Sequence, residues 1–139
     1  MIRIDFITQP SQKDLETILS IYHNQNWWPQ SITDIQRVQQ AISGSHCYVA
    51  ARDETQIIGI GRAISDGVGD AYLHDITVIP SYRKQGIATR IVEIILDRLK
   101  SDGLIWVGLI AEKGSPALYQ KFGFAPLQEC TPMFSFTTS

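Results

Sequence analysis

Six consecutive residues, Arg83-Lys84-Gln85-Gly86-Ile87-Ala88, stand where a strand-like run gives way to a long amphipathic stretch. A helix that begins on small residues leaves its first N–H groups unpaired and lets an anion approach the backbone, so this segment has the make-up of a pyrophosphate cradle. Arg83 and Lys84 set positive charge beside it. Other chemistries find little support. Cys47 and Cys130 lie far apart, and His23, His46 and His74 are scattered without ligand spacing, so neither a disulfide framework nor a metal is expected. Gly59-Ile60-Gly61 lacks the third glycine of a dinucleotide fingerprint and precedes no helix; a strand glycine or bulge explains it better. There is no Gly-Lys-Ser/Thr triplet, no Gly-x-Ser-x-Gly elbow and no Cys/His dyad, which leaves Walker-type and hydrolase chemistry without a basis.

With 139 residues, the chain suits one compact domain over residues 1–139 with a single sizeable core. Its 44% apolar and 19% charged residues are ordinary for a globular protein, and a formal net charge of −2 gives no basic footprint, so nucleic acid is not an expected partner. No apolar run reaches membrane-spanning length and no signal pattern opens the chain, so no membrane is expected and a reduced cytoplasmic setting is the default.

The elements that must position the cradle follow from periodicity. Ile2 to Ile7 alternates like a half-buried strand, and Pro10-Ser11 opens a helix carrying Leu15, Ile18, Leu19 and Tyr22 on one face. Asn26-Trp27-Trp28-Pro29 interrupts it. A second short helix after Ser31 or Thr33 carries Ile35, Val38 and Ile42 and stops at Ser43-Gly44. His46 to Arg52 and Gln56 to Ile64 read as a hairpin, Ser65-Asp66-Gly67 as a turn, and Ala71 to Ile79 as a third strand of that group. Ile87 to Lys100 is the clearest helix and ends at Asp102-Gly103. Leu104 to Ile110, almost wholly apolar, predicts a strand buried on both faces. Ser115-Pro116 predicts a capped short helix to Phe122, and one or two strands follow from Phe124, the last at Met133 to Phe136. Strand, helix, strand over Ala71 to Ile110 makes a right-handed parallel crossover, with the cradle beyond the carboxyl end of its first strand, where open sheets bind ligands.

The Arg83-x-x-Gly86-x-Ala88 turn, the strand Leu73-His74-Asp75-Ile76-Thr77-Val78-Ile79-Pro80 before it and Leu118-Tyr119-Gln120-Lys121-Phe122-Gly123-Phe124 after it, in that order, resemble the GNAT superfamily of acyl-CoA-dependent N-acyltransferases. The resemblance covers most of residues 46 to 126. It implies an α/β (α+β) fold: a mixed central sheet of about six or seven strands flanked by about four helices, in the order β-α-α-β-β-β-α-β-α-β(-β). It implies acetyl-CoA as cosubstrate, no metal, and transfer of an acetyl group to a primary amine of a small molecule, an arylalkylamine or a polyamine among the candidates. A non-catalytic acyl-CoA-binding module and an enzyme acting on protein or peptide amines are the competing readings. Family members often form homodimers, and no sequence feature decides that point here.

By the same resemblance, the amides of Lys84, Gln85, Gly86, Ile87, Ala88 and Thr89, with Arg83 beside them, hold the diphosphate, and Ile76, Thr77 and Val78 bond the pantetheine arm like an added strand. The two parallel strands splay in this family, and the thioester enters the gap. Tyr119 occupies the place of the general acid, a task suited to a phenol that is neutral at pH 7; its plainer role is packing. Asp75 is the leading candidate for the base, because a carboxylate inside a central strand is costly unless it is paired or used. A hydrogen bond to backbone or to Arg62 is its plainer role, and His74, Asp66, Glu112 or a water relay are the other candidates for the base. Trp27 and Trp28 fall beside the link that borders the acceptor pocket in such proteins, and Asp66 lies in a stretch, Gly61 to Gly67, that is similar to arylalkylamine acetyltransferases. The Asn that many members carry after the second parallel strand is replaced here by Ala111-Glu112-Lys113.

Overall fold

Each boundary in the first half of the chain has a local cause. Ser11 accepts a hydrogen bond from the Asp14 amide while Asp14 Oδ2 accepts from the Ser11 amide, both at 3.0 Å, a reciprocal cap that starts helix α1 (Gln12–Asn24). Asp34 caps α2 (Ile35–Gly44) through the Gln36 amide at 2.9 Å. Strands β1 (Ile2–Phe6), β2 (Cys47–Asp53), β3 (Gln56–Ile64) and β4 (Asp70–Val78) follow the predicted runs to within a residue or two, and a single 3-10 turn, Pro80–Tyr82, leads from β4 towards helix α3 (Ile87–Ser101). Gly103, at φ +78, ends α3 as the sequence predicts.

The computed structural model describes residues 1–137 and divides the chain into two compact units, Met1–Gly108 and Leu109–Ser139. In the first unit one mixed sheet has the order β1-β2-β3-β4-β5, with β5 formed by Trp106–Gly108; only the β4–β5 pair is parallel. The layers follow from alternation along β3. Ile60 joins Leu15, Ile18 and Tyr22 of α1 and Val38 and Ile42 of α2 in one buried cluster. Gly59 and Gly61 face the other way, towards α3, whose Ile91, Val92, Ile95 and Leu99 are fully buried.

The second unit contains helix α4 (Pro116–Gln120) and the turn to Gly123, which sits at φ +87. Ser115 does not cap this helix; its hydroxyl donates to the Glu112 carbonyl at 2.7 Å instead.

Two expectations change. The sheet has five strands among the described residues, because residues 124–137 form none. Pro126 and Pro132 deprive that segment of ladder donors. Residues 104–110 are not a strand buried on both faces: only three residues pair, Trp106 is 44% exposed and Ile105 is 94% exposed. An apolar run at a sheet edge looks the same in sequence as one at the centre.

Asp14, besides capping α1, receives Arg52 Nη1 on Oδ1 at 2.8 Å and Nη2 on Oδ2 at 3.0 Å, which joins α1 to β2. The Arg52 hydrogen bonds hold the Asp14 pKa below its ordinary 3.8 against the opposing effect of burial. Arg52→Met should therefore cost about 2–3 kcal/mol at pH 7. That difference should shrink as the pH falls below 3.8, since the stabilisation belongs to the ionised carboxylate and is lost on its protonation. Urea denaturation at pH 7 and again near pH 2.5 checks both expectations.

Candidate active site

The corner between β4 and α3 carries two left-handed residues, Lys84 at φ +63 and Gly86 at φ +77, separated by Gln85, which lies at negative φ. Such alternation turns successive N–H groups to one side and forms a concavity for an anion. Gly86 is the N-cap of α3, no side chain caps that helix, and no acidic residue lies in its first turn. The positive end of the helix dipole, about half an elementary charge, is thus left for an outside anion. A Cβ built on Gly86 would meet nothing within 4 Å, so the glycine answers to its φ and to the open space before it, not to protein packing. These residues fit the diphosphate of acetyl-CoA. Arg83 Nε donates to the Val78 carbonyl at 2.8 Å, so the side chain folds back and braces the exit of β4.

Upstream, β4 is paired on only part of one edge. Parallel pairing to β5 covers Asp70↔Trp106, Ala71↔Val107 and Tyr72↔Gly108, and beyond Tyr72 that edge has no strand partner among the described residues. Ile76, Thr77 and Val78 lie in this open stretch, the place expected to bond an extended arm. On the other edge β4 contains a bulge: Gly59↔Val78 and Ile60↔Thr77 precede Arg62↔His74, so Asp75 and Ile76 together oppose Gly61. Asp75 takes φ +58 at this bulge. The cramped side of the bulge explains Gly61, where a Cβ would come within 2.7 Å of Ile76 Cδ1 and 2.6 Å of Ile91 Cγ2.

Asp75 Oδ2 accepts from Arg62 Nε at 2.6 Å and from the Tyr22 hydroxyl at 2.9 Å. Tyr22 commits its proton to Asp75, so at 2.8 Å its oxygen accepts from Tyr48. Burial raises the pKa of both phenols, which keeps both protonated. Arg62 also reaches Ser45 Oγ at 3.4 Å, just past α2. The Asp75 carboxylate thus joins four elements: α1, β2, β3 and β4. Bonds to a charged group contribute about 1.5–3 kcal/mol each, which offsets the roughly 1–2 kcal/mol cost of a left-handed residue.

Trp28 stacks on Tyr22 with centroids 4.4 Å apart and planes 13° apart, and Trp27 lies tilted at 6.0 Å. Both tryptophan amides donate to the Tyr22 carbonyl, so the chain curls over Tyr22 as it leaves α1. The structure therefore brings Trp27 and Trp28 to the residue that holds Asp75. It does not bring Asp66 there: that side chain is exposed in the β3–β4 turn and accepts from the Val68 amide at 2.9 Å. Tyr119 belongs to the second unit, where it is 8% exposed and meets the Phe124 ring edge-on at 5.9 Å. Burial, and after it Glu112, raises its pKa, so it carries its proton at neutral pH. Tyr48 is a member of the network that sequence reasoning missed; its signal is a phenol within the apolar run Cys47-Tyr48-Val49-Ala50, where the hydroxyl needs a buried partner.

The family model described as the acetyltransferase (GNAT) family matches residues 13–124. GCN5-related N-acetyltransferase 2, a chloroplastic protein of Arabidopsis thaliana, is 32% identical over 73 residues, which is 52% of this chain; the matched part spans only 28% of that protein. Among solved structures, a GNAT-family acetyltransferase from Streptococcus pneumoniae superposes with a TM-score of 0.81 at 26% identity, covering 100% of both chains. A predicted acetyltransferase with acetyl-CoA from Clostridium acetobutylicum has the same fold, with a TM-score of 0.72 at 18% identity over 96% of each chain.

Gly86→Val would put a β-branched side chain at φ +77 and into the open space of the cradle. Acetyl-CoA affinity, read by isothermal titration calorimetry, is expected to fall at least about a hundredfold. That corresponds to losing about 3 kcal/mol of anion contacts. The far-ultraviolet circular dichroism should stay that of the parent.

Proposed function

This chain belongs to the acetyltransferase (GNAT) family, and on that premise we propose that it transfers the acetyl group of acetyl-CoA directly to a primary amine of a small molecule within a ternary complex. The observation that carries this reading is the uncapped, acid-free start of α3 behind two left-handed residues, immediately after a strand with an open edge. When bound, acetyl-CoA supplies the activated thioester. Amides from Lys84 to Thr89 hold its diphosphate, and the main chain of Ile76 to Val78 aligns the pantetheine arm.

The reaction forms a bond from the acceptor nitrogen to the acetyl carbon and breaks the carbon–sulfur bond. Tyr119 is the proposed acid: it is protonated at neutral pH and gives its proton to the departing sulfur. Asp75 is the proposed acceptor of the ammonium proton. Its Oδ2 is taken by Arg62 and Tyr22, which turns the work to Oδ1. Trp27 and Trp28, aligned on Tyr22, support an acceptor with an apolar or cationic body; arylalkylamines and polyamines are the classes to screen first.

The deciding experiment measures free thiol released from acetyl-CoA as a panel of primary amines is supplied. Turnover with at least one small amine is expected. Binding of acetyl-CoA, seen as a raised melting temperature, with no thiol released for any amine would replace this reading with that of a silent binding module. In the active case Tyr119→Phe should lower kcat by about a hundredfold with little change in acetyl-CoA affinity. Asp75→Asn should lower kcat markedly, and parent-like turnover would assign the proton to another group.

A further inference from the structure

Asp75 is the only residue within a strand that adopts a left-handed conformation among the described residues; Asn26, Glu54, Lys84 and Glu129, the other non-glycine cases, lie outside strands. The observed bulge can be set against the regular strand that would replace it. In the bulged one Ile76 faces α3 over Gly61, and Thr77 and Val78 keep their pairings to Ile60 and Gly59. In a flattened one the register past His74 would slip by one residue, and every later side chain would exchange faces, sending Ile76 towards Arg62 and Thr77 towards α3. The flattened strand would be regular, hence a better mate for a longer β5.

What selects the bulge is the carboxylate. In the left-handed conformation Asp75 Oδ2 meets both Arg62 Nε and the Tyr22 hydroxyl, on the face opposite Ile76. Water is a poor substitute for the Tyr22 donor, because Tyr22 is 0% exposed and Tyr48, which donates to it, is 2% exposed. We propose that Tyr22 and Arg62 are positioning residues that act through Asp75 to keep the Ile76–Val78 edge of β4 in the bulged, open form that receives the thioester arm. They touch neither the arm nor the acceptor in this role. The inference rests on the acetyl-CoA reading above for its consequence and on the β4 geometry for its cause.

The test uses the full chain with Tyr22→Phe, Arg62→Met, Asp75→Ala and Asp75→Gly. Two readouts are needed: amide hydrogen exchange without ligand, and acetyl-CoA binding by calorimetry. Tyr22→Phe, Arg62→Met and Asp75→Ala should speed exchange at residues 73–78 about tenfold while α3 and β2 stay protected, and should weaken acetyl-CoA about tenfold. Asp75→Gly removes the carboxylate but adopts positive φ freely, so it should recover acetyl-CoA affinity to within about threefold of the parent. That rescue separates a conformational duty from a direct contact, which glycine cannot replace.

Parent-like exchange at 73–78 in Tyr22→Phe would overturn the inference, and so would an Asp75→Gly affinity as poor as that of Asp75→Ala. If the parent itself fails to bind acetyl-CoA, the proposed function falls, and the exchange measurement alone still decides the device within β4.

Discussion

A carboxylate held from two sides governs the geometry of the sheet where it matters. Regular antiparallel pairing would carry β4 straight past Gly61 and turn Thr77 towards α3 in place of Ile76 and Val78. The ion pair from Arg62 and the phenol of Tyr22 make the irregular alternative the stable one. Packing then agrees with the choice: Ile76 fills the space over Gly61 that any other residue at position 61 would occupy. Electrostatics on one face and shape on the other select the same register, a consistency that leaves one native arrangement.

The cradle works on a different physical basis. No side chain caps α3 there, and the proposed anion site rests on backbone dipoles beside two left-handed residues. Strain and charge are thus divided between the two halves of the site. β4 stores a left-handed aspartate that a hydrogen-bond network maintains, whereas the corner stores a left-handed lysine, Lys84, whose conformation an incoming anion would repay. Arg83 connects the two by bonding the last carbonyl of β4.

Local chemistry made much of this legible in the sequence. The Ser11 cap, the hairpin, the turn at Gly67 and the glycine end of α3 depend on residues within a few positions of each other and appear where expected, whereas Asp34 rather than Ser31 or Thr33 caps α2 and Ser115 caps nothing. The open edge of β4 was legible only through resemblance, because the apolar content of residues 104–110 argues for a long buried strand. In the fold Trp106 meets Tyr72 edge-on at 5.4 Å and its own ring covers Gly108, so much of that apolar content is used at the sheet edge. The network at Asp75 was half legible. A lone carboxylate in a strand demands a partner, and Arg62 follows from the hairpin register. Tyr22 and Tyr48 do not, since 53 and 26 residues separate the bonded members and no local pattern joins them.

Burial raises the pKa of Tyr22, Tyr48 and Tyr119 alike, so protonation state alone cannot sort their duties. Commitment of the proton does. Tyr48 points its hydrogen at Tyr22, and Tyr22 points its own at Asp75, in a chain closed at both ends by protein. A proton taken from either would leave a buried phenolate next to a carboxylate, the costliest arrangement available. Tyr119 makes no hydrogen bond to a described residue through its hydroxyl, and its pKa is raised mainly by burial, so its proton is neither shared nor easily lost to solvent. A phenol that holds its proton against water but has not assigned it to a neighbour keeps the make-up of a proton donor, which Tyr22 and Tyr48 have given up.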